Sequence, residues 1–390
     1  MSKRIVRHLE AVPVTAGGPH FFGYYDKCPW RADGRALLAA RAEFQDRPPT
    51  ETDVLTLGVV NLDADNAFEP FAETTAWSWQ QGTMLQWAGD RNRVVYNSRR
   101  EDGQVVGNVH DLDTGEVREV PRPIYALHTN GREAISLDFH RLQTLRPGYG
   151  YPPKTDITEH NAAPDDAGLW QVNLETGQER LACSIGRARL HHEDPRGRGA
   201  HHWVNHATYN TDGSRFCFLH RFRCAEGRAG PWITRLFTCE PDGAELYLLN
   251  GHGVVSHFAW RDPNHLLAWS DGPAGEPPAY HLLQDKTQSG QVLAEGLLDR
   301  DGHMTYSPDG RWILTDTYPG KADGKQSLFL LNVKSGQLVE VGRFEAPLKG
   351  PLRCDLHPRF SRDGKQVCFD SAHTGTRQVW VMDVSSITGK

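Results

Sequence analysis

The hydrophobic and polar positions of this 390-residue chain repeat one local pattern. A short, β-rich apolar run ends in a polar turn that contains an Asp-Gly pair, and the clearest copies are Trp30–Arg35, Tyr209–Ser214, Tyr306–Arg311 and Phe360–Lys365. An Asp-Gly pair between alternating runs predicts a β-hairpin, because glycine adopts the positive φ that the turn needs. Repetition at intervals of tens of residues predicts stacked or radial units.

The chain length suits seven repeats of about fifty residues, the size of a four-stranded propeller blade. We therefore predict an all-β fold, a seven-bladed β-propeller that forms a single domain over residues 1–390. The last blade shows only three clear strands, and we expect residues 3–12 to supply the fourth and close the ring. Predicted blade limits are His20 to about Asp63 (with strands Ala36–Ala40 and Leu57–Asn61), His201–Asn250, Gly253–Glu295, His303–Phe344 and Leu352–Val384.

A recurring six-residue phrase and one long loop refine the predicted limits of the blades. The phrase Asp111–Glu116 returns as Asn173–Gln178 and Asn332–Gln337, and each copy is expected to be the turn between the last two strands of its blade. The third blade contains the longest interruption, Phe139 to Asp166, and a loop of that length in a compact domain is usually functional. No stretch shows sustained helical periodicity, which disfavours an α/β enzyme fold.

Composition narrows the possible partners. The net charge of −6 and a pI near 6.3 give no basic footprint for nucleic acid. The start of the chain lacks an apolar signal-peptide core, and no later segment is apolar enough to span a membrane, so we expect a cytoplasmic protein. The 7 cysteines include no Cys-x-x-Cys pair and are expected to be reduced.

Histidines recur at one phase of the repeat. His206, His303 and His357 each stand three residues before the turn aromatic, and a degenerate copy adds His257. In a propeller, equivalent positions of different blades converge on one mouth of the central channel, so these imidazoles are expected to share a cavity. Such a cluster suits a divalent transition metal or a general base with its partners. The alternative is a polar collar hydrogen-bonded to backbone. The first three blades carry Lys27, Met84 and Ile124 at this phase.

Aromatic and amide side chains near the same mouth suggest a sugar ligand. Tyr24, Tyr25, Asp26 and Lys27 precede the first turn, and Trp79 with Gln81 precedes the inner strand of the second blade. Sugar rings stack on aromatic faces and accept oriented hydrogen bonds at their edges. Ordinary packing between blades is the competing interpretation for Trp79.

Two other groups are weaker candidates. Arg221 or Arg223 could offer a guanidinium to an acidic ligand, although a surface ion pair is the default expectation. The histidines flanking the basic segment 187–198 could belong to a lid, but a solvated surface is the preferred expectation; they are His191, His192, His201 and His202. The phosphate-binding loop, the Gly-x-Ser-x-Gly elbow and the His-Glu-x-x-His motif are all absent from the sequence.

The last two blades resemble those of oligogalacturonate lyases. Leu356–Ser371 followed by Gln378–Val384 is similar to their C-terminal blade, and Gly302–Gly310 is similar to a segment of the blade before it. Those enzymes are cytoplasmic seven-bladed propellers that split short uronic-acid oligomers by β-elimination, with a manganese-type metal held by histidines. Before these two blades the resemblance is architectural.

The resemblance implies roles for particular residues. His303 and His357 would be metal ligands, His257 the nearest ligand or base, and Arg221 the active arginine of the fourth blade. The family has a glutamine and a histidine just before the last-blade histidine, where this chain reads Leu352–Leu356. Asp355 could replace a ligand, because carboxylate oxygen suits Mn²⁺. Other propeller lyases that act on uronate polysaccharides use His with Tyr and no catalytic metal.

The leading hypothesis is β-elimination of an acidic, uronate-containing oligosaccharide. One rival is a propeller glycosidase, which would need carboxylates in the mouth and has only Asp26 and Asp355 placed for it. A second rival is a non-catalytic binding scaffold. Under the leading hypothesis the residues divide into catalytic (His257, Arg221, His206, Tyr25), substrate-binding (Tyr24, Lys27, Trp79, Gln81) and metal-binding (His303, His357, Asp355) groups.

Overall fold

The computed structural model of the protein describes residues 4–89, 92–153, 161–223 and 231–389. Its strands form seven sheets, six of four strands and one of five. First strands of several neighbouring blades contact one another, as the innermost strands of a propeller do. The predicted seven-bladed β-propeller is confirmed.

The blades follow each other in chain order, and the strands that each blade takes from its own repeat pair antiparallel from the innermost strand outwards. Blade one has strands His20–Phe21, Ala36–Ala42, Leu55–Asn61 and Ala67–Thr74, and blade two has Gln86–Trp87, Arg93–Arg99, Val105–Asp111 and Val117–Val120. Blade three has Ala126–Leu127, Glu133–Ser136, Gly168–Asn173 and Glu179–Ser184, and blade four has His202–Tyr209, Phe216–Arg223, Trp232–Cys239 and Tyr247–Gly253. The strands of blades five to seven are Val255–Asp262, His265–Ser270, Ala279–Gln284 and Gly290–Val292; Thr305–Tyr306, Trp312–Asp316, Lys325–Asn332 and Leu338–Glu345; Arg359–Phe360, Gln366–Ser371 and Gln378–Asp383.

The N-terminal segment closes the ring in two places. Ala11–Pro13 pairs antiparallel with Gln378–Asp383 and becomes the fourth strand of the last blade, as predicted. Arg4–Val6 does not join that blade: it pairs parallel with Leu338–Glu345 and makes the fifth strand of blade six. Both pairings cover an outer sheet edge that would otherwise be open.

The turns lie where the sequence indicates. The glycines of the four Asp-Gly turns have φ between 68° and 77°, which only glycine adopts without cost. Each of the three recurring six-residue phrases joins the last two strands of its blade. The predicted end of blade one at Asp63 is wrong, because Ala67–Thr74 adds a fourth strand. Buried and exposed positions do not alternate regularly along Ala67–Thr74, so the sequence pattern gave little indication of this strand.

The core lies between adjacent blades. Leu314 and Leu328 of blade six, for example, pack with Leu356, Phe360 and neighbouring residues of blade seven. Trp30, the turn aromatic of blade one, is completely buried, consistent with packing. Burial of such large apolar side chains contributes about 1.5–3 kcal/mol each, which fixes the blades and hence the spacing of the residues at the channel.

Helices are short; all but the last, which follows the final strand, lie between strands. They are the α-helices Phe139–Leu145, Ile185–His191 and Ser385–Thr388 and the 3₁₀ helices Pro195–Gly197 and Gly350–Leu352. None of the helices in the described ranges has the length and apolar character needed to cross a bilayer. The cysteines in those ranges are all free; Cys224 lies outside them.

Candidate functional site

The four in-phase histidines lie side by side at the end of the inner strands opposite the Asp-Gly turns. Ring centroids are 5.8 Å apart for His206 and His257, 4.1 Å for His257 and His303, and 4.3 Å for His303 and His357. All four side chains are buried. The repeat therefore brings the predicted histidines into one arc; their chemical roles remain predictions.

The backbone is strained at two of these positions. His206 has φ 58° and His357 has φ 43°, and Met84, at the same phase of blade two, has φ 56°. Non-glycine residues seldom adopt this left-handed conformation, which costs about 1–3 kcal/mol and persists only where the surrounding structure requires it. This position of the repeat thus adopts the left-handed backbone conformation in at least three blades.

Three of the imidazoles are fixed through Nδ1. His257 Nδ1 lies 2.9 Å from Asp301 Oδ1, His303 Nδ1 lies 2.9 Å from Asp316 Oδ1, and His357 Nδ1 lies 2.8 Å from the Gly23 carbonyl oxygen. Since these partners accept hydrogen bonds, each Nδ1 carries the proton. In the neutral form of each ring the lone pair is therefore on Nε2, as a metal ligand or a general base requires.

Charge separates the histidines into two types. Burial lowers the pKa of His206, His257 and His357 below the usual histidine value, so these rings are neutral near pH 7. Burial also opposes protonation of His303, but the charge and hydrogen bond of Asp316 outweigh it and raise the pKa. Asp316 also accepts the backbone N–H groups of His303 and His357, at 2.7 and 3.2 Å. One buried carboxylate thus orders both residues.

His303, Asp355 and His357 form a candidate metal site. Each offers one ligand atom, and these atoms lie within 4.8 Å of one another. The Nε2 atoms of both histidines and Oδ1 of Asp355 are buried without a hydrogen-bond partner. Buried polar atoms are almost always satisfied, and two imidazole nitrogens with one carboxylate oxygen suit a divalent transition metal. The residues that the sequence proposed as ligands therefore fit the group.

Tyr24 and Tyr25 stand next to the histidines but make different contacts. The Tyr24 hydroxyl is hydrogen-bonded to His206 Nε2, and burial raises its pKa well above the usual tyrosine value. The Tyr25 hydroxyl donates to the Phe258 carbonyl and accepts from the Phe258 N–H, both at 3.0 Å. Tyr24 thus has a titratable partner, whereas the Tyr25 hydroxyl is already satisfied by backbone.

Arg221 is buried rather than on the surface. Its guanidinium donates to Thr234 Oγ1 at 3.1 Å and approaches Asn205 Oδ1 and the Val255 carbonyl oxygen at 3.4 and 3.3 Å. No carboxylate of the described residues pairs with it, so the default expectation of a surface ion pair is wrong. Burial, followed by the charge of Arg146, lowers the pKa of Arg221 to about 10, which still leaves a cation near neutrality.

The described part of the long third-blade segment, 139–153, places Tyr149 beside the cluster as a partial cover. Tyr149 is 5% exposed, and its ring centroid lies 6.4 Å from that of Tyr24. Its hydroxyl accepts from Arg353 Nη2 at 2.6 Å, and Arg353 Nε donates to Asp355 Oδ2 at 2.8 Å. This chain of contacts links the cover to the candidate metal site. Residues 154–160 of the segment lie outside the described ranges.

The remaining proposed binding residues occupy supporting positions. Lys27 pairs with Asp26 at 2.6 Å, and both line a cavity of about 270 Å³ that also includes Tyr25. Gln81 donates to the Tyr125 hydroxyl, which in turn accepts the N–H of His206.

Trp79 packs between the first two blades against Phe21, Phe44 and Trp77. Arg377 lies over its ring, and its indole N–H donates to the Arg47 carbonyl oxygen. The packing interpretation therefore describes Trp79 better than a sugar-stacking role.

The expected surface position of His202 is also wrong, because its side chain is buried. Its Nε2 donates to the Gly197 carbonyl oxygen at 2.9 Å, which leaves Nδ1 to accept from His220 Nε2 at 3.1 Å. His220 Nδ1 then accepts from Arg235. Burial lowers the pKa of His202 to about 4. This chain of neutral rings holds the segment 192–198 against blade four.

Sequence reasoning missed several residues that define the site. Asp316 stands 13 residues after His303, and Asp370 stands 13 residues after His357. Asp370 accepts the N–H groups of Phe22 and Gly23, so it supports the carbonyl that holds His357. This repeated spacing was a detectable signal. Asp301, Tyr149 and Arg146 had none, because they lie on irregular segments.

Comparison with solved structures shows the class of fold to which the chain is similar. Similar structures include an oligogalacturonate lyase from Vibrio parahaemolyticus (TM-score 0.67, 15% identity, 96% of this chain and 94% of that chain). Another is an oligogalacturonate lyase in complex with manganese (TM-score 0.66, 16% identity, 98% and 100%). The β-propeller domain of the Trilobed protease from Pyrococcus furiosus is less similar (TM-score 0.53, 12% identity, 90% and 93%).

These likenesses show a shared fold, a seven-bladed propeller like that of oligogalacturonate lyases. The resemblance predicted from the last two blades thus extends, as architecture, over nearly the whole chain. No protein-family model and no curated protein matches the sequence.

Proposed function

We propose that this protein is a lyase that cleaves a uronate-containing oligosaccharide by β-elimination at the histidine arc. The observation that carries the proposal is the set of Nε2 atoms left without a role in positioning the rings: His257, His303 and His357 are each fixed through Nδ1, beside a buried Arg221 with no acid partner among the described residues. One buried space thus contains the imidazole nitrogens, the Arg221 cation and the candidate metal site. Such a combination suits a substrate that carries a carboxylate next to an acidic C–H.

The first requirement of the reaction is to offset the charge of the substrate carboxylate, so that the proton on C5 becomes acidic. Arg221 supplies a desolvated positive charge whose donors are only partly used by neutral oxygens. His303, His357 and Asp355 would hold a divalent metal, for which Mn²⁺ is our proposal, and such an ion supplies Lewis-acid stabilisation of the same carboxylate.

The second requirement is a base for the C5 proton. His257 is neutral near pH 7, and Asp301 fixes its Nδ1–H, so Nε2 presents a lone pair. Asp301 also stabilises the imidazolium that forms when Nε2 takes the proton. His257 is therefore the base in our proposal.

The third requirement is a proton for the leaving oxygen. The Tyr24 hydroxyl stays protonated because burial raises its pKa, and it lies against the neutral ring of His206. In the proposed step the C5–H proton passes to His257, the C4–O bond breaks, C4 and C5 form a double bond, and Tyr24 protonates the leaving oxygen. Exchange with solvent then restores both groups.

The hydrolase alternative has less support. Both of its candidate carboxylates already face cations: Asp26 pairs with Lys27, and Asp355 pairs with Arg353. A glycosidase needs two carboxyl groups that face the scissile bond, whereas these two are held in ion pairs with neighbouring side chains.

The test is ultraviolet absorbance of the unsaturated uronate during incubation with a panel of acidic oligosaccharides, with reducing ends measured in parallel. We expect absorbance to rise with wild-type protein, to fall on chelation and to recover with Mn²⁺. His257→Ala should abolish the rise. His265→Ala is the matched control, because His265 lies in the same blade and bonds only Asp262.

Three outcomes would contradict the proposal or part of it. Reducing ends without unsaturated product would favour the hydrolase. Unchanged turnover after chelation would remove the metal and leave the Tyr24 and His206 pair as the chemistry of the site. Equal rates for His257→Ala and His265→Ala would remove His257 as the base.

A further inference from the structure

Three guanidinium groups gather around one tryptophan beside the candidate active site. The Arg146, Arg223 and Arg221 guanidinium carbons lie 4.3, 5.1 and 5.9 Å from the ring centroid of Trp232. Trp232 is half-buried at the start of its strand, so part of its ring remains accessible. Cations over an indole face are favourable, but three like charges together repel one another.

Arg146 and Arg221 are the two members of this group whose positive charge has no acid partner among the described residues. Among the residues that the structure describes, no carboxylate lies within ion-pair distance of Arg146 or Arg221. The charge of Arg146 contributes to a lowered pKa at both Arg221 and Arg223, after the larger effect of burial. Coulomb repulsion at partly buried positions amounts to several kcal/mol at short range, so an anion would relieve an existing cost.

Arg146 also differs from an arginine that serves packing alone. Its Nε is buried without a hydrogen-bond partner, and its contacts are the rings of Tyr149, at 4.2 Å, and Trp232. Arg235, by contrast, donates to the Ala188 carbonyl oxygen and to His220. The Arg146 guanidinium is held in place by aromatic rings while donors stay available.

We propose that Arg146 and Trp232, with Arg223 nearby, form a binding subsite for an anionic group on the sugar unit next to the one that reacts. The Trp232 ring would stack on that sugar, and the guanidinium would bind its carboxylate or sulfate ester as a fork. This inference rests on the proposed function only in taking the ligand to be an acidic oligosaccharide. Tyr149, which stacks on Arg146, connects the subsite to the cover of the histidine arc.

The experiment is calorimetric binding to the full-length His257→Ala protein, which keeps the subsite and removes the proposed base. The probes are trigalacturonate and its fully methyl-esterified form, with inorganic sulfate as competitor. We expect trigalacturonate to bind and the ester to bind at least about tenfold more weakly, because a charge-assisted hydrogen bond is lost. Adding Arg146→Gln should weaken trigalacturonate binding by about tenfold or more and leave ester binding unchanged.

Arg146→Lys keeps the charge but not the fork and should give an intermediate affinity. Arg180→Gln, on the exposed outer strand of blade three, is the matched control and should bind as the parent does. Competition by sulfate would show that the subsite accepts sulfate esters as well as carboxylates.

The inference is overturned if trigalacturonate and its ester bind equally, if neither binds, or if Arg146→Gln has no larger effect than Arg180→Gln. It fails separately from the proposed function. Arg146-dependent binding without unsaturated product from the wild type would keep the subsite and remove the lyase. Unsaturated product with the same KM and kcat in Arg146→Gln would keep the lyase and remove the subsite.

Discussion

Asp316→Asn is the substitution that the structure predicts most sharply. The Asp316 carboxylate accepts from His303 Nδ1 at 2.9 Å, from His303 N at 2.7 Å and from His357 N at 3.2 Å. Asparagine has the same shape but keeps one acceptor oxygen and presents an NH₂ group to the other donors. We expect one or two of these bonds to be lost, and bonds to a charged acceptor contribute about 1.5–3 kcal/mol each, so unfolding should become easier by about 2–4 kcal/mol.

The same substitution should change how His303 titrates. Burial opposes protonation of this ring, and the Asp316 charge is the first of the effects that outweigh it. Without that charge the pKa of His303 should fall. A second consequence is weaker metal binding, by about 10- to 100-fold, because the partner that orients a ligating histidine is lost.

Histidine titration by NMR, urea unfolding and Mn²⁺ calorimetry measure these three effects. Asp299→Asn is the control, because Asp299 is exposed and only loosely paired with Arg300 at 3.7 Å. An unchanged His303 pKa in Asp316→Asn would refute the electrostatic reasoning. An unfolding free energy equal to that of Asp299→Asn would refute the structural role.

Three further predictions concern stability and the cover. Because the pKa of His202 is lowered to about 4 in the fold, the unfolded chain binds the proton more readily between about pH 6.5 and 4. Stability should fall through that window by about 3 kcal/mol, as urea unfolding at several pH values would show; a flat profile would argue against a neutral His202. Gly23→Ala should destabilise by about 1–3 kcal/mol, because Gly23 has φ 130° and an added Cβ would meet the Gln81 carbonyl oxygen at 2.9 Å. A melting temperature equal to that of wild type would contradict that close approach. Tyr149→Phe removes the 2.6 Å bond to Arg353 and should speed hydrogen exchange in 139–153, whereas unchanged exchange would mean that the bond does not hold the cover.

The sequence predicted the parts of the molecule that the repeat controls. An Asp-Gly turn is a local signal, and a histidine three residues before the turn aromatic is fixed by the geometry of the inner strand. The blade order, the ring closure by Ala11–Pro13 and the contacts of His206 with His257 and of His303 with His357 therefore followed from periodicity.

The parts that could not be predicted depend on particular side-chain contacts, both within a blade and between blades. The burial of Arg221 depends on Thr234 in the next strand, and the position of Tyr149 depends on Arg353, two hundred residues further along the chain. Hydrophobic periodicity carries no information about such pairs. Trp79 shows the converse difficulty: an aromatic side chain suggests a ligand in the sequence, whereas its neighbours in the structure are other aromatic rings.

The central claim is that the histidine arc performs elimination and not hydrolysis. Product mass after cleavage in heavy-oxygen water tests it most directly, because hydrolysis adds one solvent oxygen to a product and elimination adds none. The account predicts unlabelled products, one of them carrying a double bond, and no products from His257→Ala. Incorporation of heavy oxygen at the cleaved bond would contradict it.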